Sequence, residues 1–166
     1  MGVGNTFIGK AAVLEGLAEH PAVKAILAWN PLALTDAKFD RYELTLTIAA
    51  EEIRAAVEAV KNEGYNYFED LTAVDWFPSS PRFQLSYHIL SHTYKERIRL
   101  RVLLEGENPS IESITPVWPA ANFYEREVFD LFGVRFGEHP NLRRILMPDD
   151  WQGHPLRKDY PVEGYR

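Results

Sequence analysis

Charged and aromatic side chains crowd into one stretch, NFYEREVFDLFG, residues 122 to 133. At about 100° per residue on a helix, Arg126, Glu127 and Asp130 share one side. Tyr124, Val128, Phe129, Leu131 and Phe132 cover most of the rest, and Glu125 falls inside that apolar arc, between Phe129 and Phe132. A carboxylate so placed must be protonated, hydrogen-bonded or paired with a cation. Two kinds of chemistry follow: a structural ion pair, or a catalytic acid with a raised pKa. Glu125 and Glu127 point different ways on a helix and make a poor facing pair for glycoside chemistry. The C-terminal tail offers Arg143, Arg144, Arg157 and Lys158 as partners. The expectation is therefore a buried Glu125 bonded to Arg143, Arg144 or Arg157, with Arg126 pairing Asp130 one turn on or an acid of a partner.

The histidines offer less. His88 and His92 are four apart, a metal-pair spacing on a helix, but they lie in a β-patterned run with no cysteine and no carboxylate close in sequence. His139 and His154 each precede a proline, in GEHP and QGHP, where an imidazole caps a turn by hydrogen bonding. A hydrolase built on Glu125, Asp130 and His139 is the enzymatic alternative. No phosphate-binding glycine loop, dinucleotide fingerprint or nucleophile elbow is present.

Composition narrows the classes further. The 166 residues amount to one domain with a core of its own. With no cysteine, disulfides, thiolate nucleophiles, cluster ligation and cysteine zinc sites are all excluded. A net charge of −6 disfavours nucleic acid. No apolar run approaches the roughly 18 residues of a membrane span, and no signal peptide is visible. The start fits the Met-Gly myristoylation pattern, with Thr6 in place. The expectation is a soluble chain that reaches a membrane only through a partner.

The elements that must position the charged helix follow from periodicity. Residues 8–20 and 51–64 read as amphipathic helices, the second with Ile53, Ala56, Val57 and Val60 on one face. Residues 23–29 read as a short strand and 30–36 as a proline-containing connection. Residues 42–48, 67–77, 82–90 and 97–104 read as strands. Arg97, Arg99 and Arg101 share one face of the last, either the solvated outside of a sheet or a docking face for an acidic partner. Pro119 and Gly133 bracket the 122–133 helix. Helices with runs of strands between them predict an α+β fold: a mixed or antiparallel sheet with helices packed on one side. Residues 1–133 form the expected compact domain. Residues 134–166 carry prolines at intervals too short for helices, yet Leu142, Ile145, Trp151 and Tyr160 are too apolar for a disordered linker. This predicts an extended arm, laid on its own domain or on a partner.

The stretch EREVFDLFGVRFGEHPNLRRIL resembles the signature of the C subunit, also known as the 30 kDa-type subunit, of proton-translocating NADH:quinone oxidoreductase, respiratory complex I. That signature is Glu-Arg-Glu, two free positions, an acid, two apolar residues, six free positions, His or Lys, then a basic residue near an apolar pair. Glu125, Arg126, Glu127, Asp130, Leu131, Phe132, His139, Arg143, Ile145 and Leu146 fill it. MPDDWQGHPLRKDYP, with Trp151, His154, Arg157, Lys158 and Tyr160, resembles the family's tail. The resemblance implies a non-catalytic subunit without cofactor, in a complex whose FMN and iron–sulfur clusters lie in other subunits. It implies the D subunit and the iron–sulfur subunits near the quinone site as partners, and a peripheral position on the cytoplasmic side of the inner membrane. Membrane-bound hydrogenases and reduced-deazaflavin dehydrogenases use similar subunits.

Overall fold

Alternation in the strands builds a sheet with one oily and one charged face. The computed structural model describes residues 6–164; the Met-Gly start lies outside them. In chain order the elements are β1 (Phe7–Ile8), α1 (Lys10–Leu17), α2 (Pro21–Trp29), β2 (Leu34–Asp40), β3 (Glu43–Ile48), α3 (Ile53–Asn62), β4 (Tyr67–Asp75), β5 (Phe83–Ser91), β6 (Glu96–Leu104), β7 (Ser110–Glu112), α4 (Ala121–Phe132) and β8 (Arg135–Gly137). Six strands pair in the order β1-β2-β3-β6-β5-β4, and β7 and β8 form a separate pair. Among the described strands, β3–β6 and β7–β8 are the parallel pairs. The register sets Leu44 and Leu46 beside Ile98 and Leu100, all buried, and Thr45 and Thr47 beside Arg99 and Arg101 on the other face. Each fully buried Leu or Ile stabilises by roughly 1.5–3 kcal/mol, so a one-residue slip is strongly disfavoured. The expected α+β class holds.

The arginine face is cross-linked across strands. Arg99 donates to His88 Nε2 at 2.9 Å and to Glu43 at 3.0 Å, and Arg101 reaches Thr47 and Asp36. His88 Nδ1 in turn meets Asp70 at 2.5 Å. The carboxylate missing near His88 in the sequence is thus supplied by the neighbouring strand. His92 bonds Asn66 instead, so the two histidines do not converge.

The N-terminal third departs from expectation. Residues 23–29 are helical, not extended: Pro21 starts α2 rather than ending α1, and Ala22, Val23 and Ile26 bury one face. A short apolar run carries no decisive period, and proline at the first helical turn favours the helix. The stretch after Pro31 becomes β2, joined to β3 by a tight turn with positive φ at Arg41 and Tyr42. α1 is shorter than 8–20, because Phe7 and Ile8 pair with β2.

From residue 138 to 164 the chain has no helix or strand. Just before it, Val134 and Phe136 are buried in the core, and β8 pairs with β7. No helix among the described residues is long and apolar enough to cross a membrane.

Candidate functional site

Helix α4 lies over the β4 end of the sheet. Phe68 of β4 stacks on Trp118 at 5.7 Å and meets Tyr124 edge-on at 5.6 Å. Ala121 and Val128 pack into the core, and the two acids Glu125 and Asp130 are buried as completely as they are.

Glu125 is not held by an arginine. Its Oε2 accepts from the Ser113 hydroxyl at 2.6 Å and its Oε1 from the Ile114 N–H at 2.7 Å. His139 Nε2 stands 3.9 Å away, its side chain also fully buried. The expected bonds to Arg143, Arg144 or Arg157 are absent, because β7 and β8 bring the 113–115 turn to α4 and the arginines go to the helix end. Burial raises the Glu125 pKa to about 7, against the lowering effect of Ser113, the Ile114 amide and the charge of Arg54. His139 Nδ1 accepts from the Asn141 N–H at 3.0 Å, so Nε2 carries the hydrogen and faces the Asn122 carbonyl at 3.3 Å. Burial first, and the charge of Arg126 with it, lower its pKa; the ring is neutral.

Asp130, expected on the charged stripe with Arg126 and Glu127, is the true anchor of the following chain. Its Oδ2 accepts from three consecutive amides, Ile145, Leu146 and Met147, at 2.8–2.9 Å. Its Oδ1 accepts from Arg144 at 2.6 Å. Burial alone pushes this carboxyl up; the Met147 and Ile145 amides, Arg144 and the Leu146 amide outweigh it and hold the pKa below the ordinary carboxylate value. Arg126 does not pair with Asp130. It donates to the carbonyls of Arg143 and Arg144, both at 3.1 Å. Glu127 is exposed.

A helix leaves its last carbonyls without internal donors. Here the later chain supplies them. Asp130 O accepts from Arg144 and His154, Leu131 O from the Leu156 N–H at 3.0 Å, and Phe132 O from Arg157 at 2.6 Å. Gly133, left-handed at φ 75°, returns its N–H to Phe129 O. His154 and Arg157 sit so close that a Cβ on Gly133 would lie 2.5 Å from the imidazole and 2.7 Å from the guanidinium. Arg144 also donates to Trp151 O and Gly153 O.

A second clasp was not anticipated. Buried Asp75 ends β4 and accepts from Arg82 through both oxygens, and from the Lys158 N–H at 2.9 Å. Arg82 also pairs with Asp159 at 2.7 Å. The hairpin spacing of Asp75 and Arg82 about PSSP was the available signal. Ser113, Ile114 and Tyr87 carried none, since only the tertiary pairing brings them to Glu125. Of the remaining signature residues, Arg143, Ile145, Leu146 and Trp151 face outward. Tyr160 donates to Gln152 O at 3.3 Å.

Glu125 and Asp130 are thus both fully buried and bonded within the chain. Among the described residues no group of three or more His, Cys, Asp or Glu could hold a metal.

Comparison with known proteins covers most of the chain. A sequence model of the family described as "Respiratory-chain NADH dehydrogenase, 30 Kd subunit" matches residues 46–166. The C subunit of the NADH-quinone oxidoreductase of Citrifermentans bemidjiense is 46% identical over 133 residues, 80% of this chain and 83% of that protein. A trypsin-resistant fragment of Nqo5 superimposes with a TM-score of 0.62 at 28% identity, over 78% of this chain and 98% of the fragment. A chain of the membrane-bound sulfane sulfur reductase, an archaeal respiratory membrane complex, superimposes with a TM-score of 0.76 at 26% identity, over 87% of this chain and 86% of that one.

Proposed function

Because the chain belongs to the family of the respiratory-chain NADH dehydrogenase 30 kDa subunit, we propose that it is a non-catalytic, structural subunit of the peripheral arm of an NADH:quinone oxidoreductase. In this role it supports electron transfer from NADH to quinone, coupled to proton translocation, without touching either substrate. One observation carries the non-catalytic role: both acids of the signature helix are fully buried and spent on holding other segments of the same chain.

Residues 138–164 act as an extended arm whose inner side is fixed to α4 and the β4–β5 hairpin and whose outer side meets neighbours. Leu146, Leu156 and Trp151 are exposed while their backbones are tied down, which suits an interface presented in a fixed geometry. The D subunit of the complex and the iron–sulfur subunits near the quinone site are the partners, FMN and clusters reside outside this chain, and the chain sits on the cytoplasmic side of the membrane. The likeness to a chain of the sulfane sulfur reductase complex supports a second reading, an equivalent subunit of a related membrane-bound complex such as a hydrogenase or a reduced-deazaflavin dehydrogenase. The test of the structural role is the pure, folded chain. It should oxidise no NADH and bind no iron; turnover or stoichiometric iron would refute it.

A further inference from the structure

Glu125 is sealed from solvent, and two hydroxyls follow one another away from it, Ser113 and then Thr115. The groups that face it come from every element around it. From β5, Tyr87 places a fully buried hydroxyl that has no hydrogen-bond partner among the described residues and whose pKa is raised, by burial first and by the Glu125 charge. From α3, Arg54 lends its charge at a distance while bonding Ser113 O and Glu138. After β8, His139 contributes a neutral ring. Among the described residues no lysine or arginine forms a close pair with the carboxylate. The Ile114 N–H is a fixed donor, but the Ser113 hydroxyl can rotate. Ser113 Oγ lies 2.7 Å from Thr115 Oγ1, and either hydroxyl can donate to the other. Thr115 lines an open cleft of about 310 Å³ together with Pro116, Pro119, Asn122, Glu138 and Pro140.

We propose that Glu125, Ser113 and Thr115 form a proton-exchange site, in which two hydroxyls connect a buried carboxyl to the cleft at Thr115. In uptake, water in the cleft delivers a proton to Thr115 Oγ1. The Thr115 hydroxyl proton passes to Ser113 Oγ, and the Ser113 proton to Glu125 Oε2. One carboxylate becomes a carboxyl, and the cleft gives up one proton. In the protonated state the carboxyl donates to Ser113, which donates to Thr115; in the ionised state the chain of donors reverses. Both states keep every hydroxyl bonded, which is what a reversible site requires. A Glu125 pKa near 7 fits exchange under neutral conditions. The direction in which the hydroxyls point also gives opposite signs for two substitutions. Without Ser113 the ionised carboxylate loses a donor. Without the Thr115 hydroxyl, Ser113 has only the carboxylate to donate to, and ionisation is favoured.

The experiment is a pH titration of the full chain carrying carbon-13 in its glutamate carboxyls, followed by NMR from about pH 5 to about pH 9, a span that brackets an ordinary and a raised carboxyl. One buried carboxyl should titrate near pH 7, and its signal should vanish in Glu125→Gln. Ser113→Ala should raise the midpoint and Thr115→Val should lower it, each corresponding to a several-fold change in proton affinity. Glu125 remaining ionised, or remaining protonated, across the range would overturn the proposal. So would midpoints that stay put, that move for only one variant, or that move the same way in both. If Glu125→Gln does not fold, the two hydroxyl variants still decide.

Discussion

Asp130→Asn removes one charge and almost no volume at the point where the C-terminal segment is fastened. The amide oxygen can take over the bonds from the Ile145, Leu146 and Met147 amides. The amide nitrogen must then face the Arg144 guanidinium, whose nitrogen is 2.6 Å from the present oxygen, so two donors oppose each other. Breaking a buried pair from one side costs about 3–5 kcal/mol. Arg144 keeps its carbonyl partners at Trp151 and Gly153, which brings the cost below that range, to about 2–3 kcal/mol. Weakening three charge-assisted bonds to neutral ones adds about 1 kcal/mol. The expected loss is about 3–4 kcal/mol, or on the order of 10 °C in Tm for a chain of this size if unfolding is concerted. If the segment opens locally, amide exchange at Ile145, Leu146 and Met147 should accelerate by about a hundred-fold or more. The lowered Asp130 pKa fixes the pH dependence. Its stabilisation is present above the unfolded carboxylate value and is lost as pH falls through the lower folded one, so the gap between wild type and variant should close only in strong acid. Hydrogen exchange with mass-spectrometric or NMR readout checks this. Unchanged protection at 145–147 together with a Tm within about 1 °C of wild type, far below the shift that such a loss implies, would refute the clasp.

Two further outcomes follow from the same geometry. Gly133→Ala places a Cβ against His154 and Arg157 at a left-handed φ, and should cost about 1–3 kcal/mol by denaturant titration while speeding exchange of the Leu156 amide. Glu125 has a folded pKa raised to about 7, so its contribution is complete below the unfolded value and is lost as pH rises through 7. The contribution of Glu125, read as the difference between wild type and Glu125→Gln, should therefore fall by about 2–4 kcal/mol between pH 5 and pH 8, whereas Glu138→Gln on the exposed turn should show no such pH-dependent difference; calorimetry of the three proteins at the two pH values decides.

Much of the fold was legible because alternation and helical period are local. Ile98, Leu100 and Val102 opposite Arg97, Arg99 and Arg101 announced a one-sided sheet, and Ile53 to Val60 announced a helix. Gly133 marked the helix end by its chemistry alone. The run at 23–29 was lost because so short an apolar stretch fits either period, and β2 because its pattern begins beside Pro31. At the site, burial of Glu125 could be read from the helical wheel, but its partners could not. Arg144 was among the expected partners, yet it serves Asp130, while Ser113 arrives through the β7–β8 pairing. A buried acid declares that it needs donors; topology decides which donors reach it.

The proposed role places this chain in an assembly with other subunits. The most direct measurement is purification of the affinity-tagged chain from its native membranes, with identification of the proteins that accompany it and assay of NADH-dependent quinone reduction in the same fraction. Co-elution with flavin- and iron–sulfur-bearing subunits and with NADH:quinone reductase activity is expected, both lost when the chain is cut back to its first 137 residues. Recovery of the chain by itself, its recovery in a complex that reduces quinone or another acceptor only with a donor other than NADH, or full assembly of the shortened chain would contradict it.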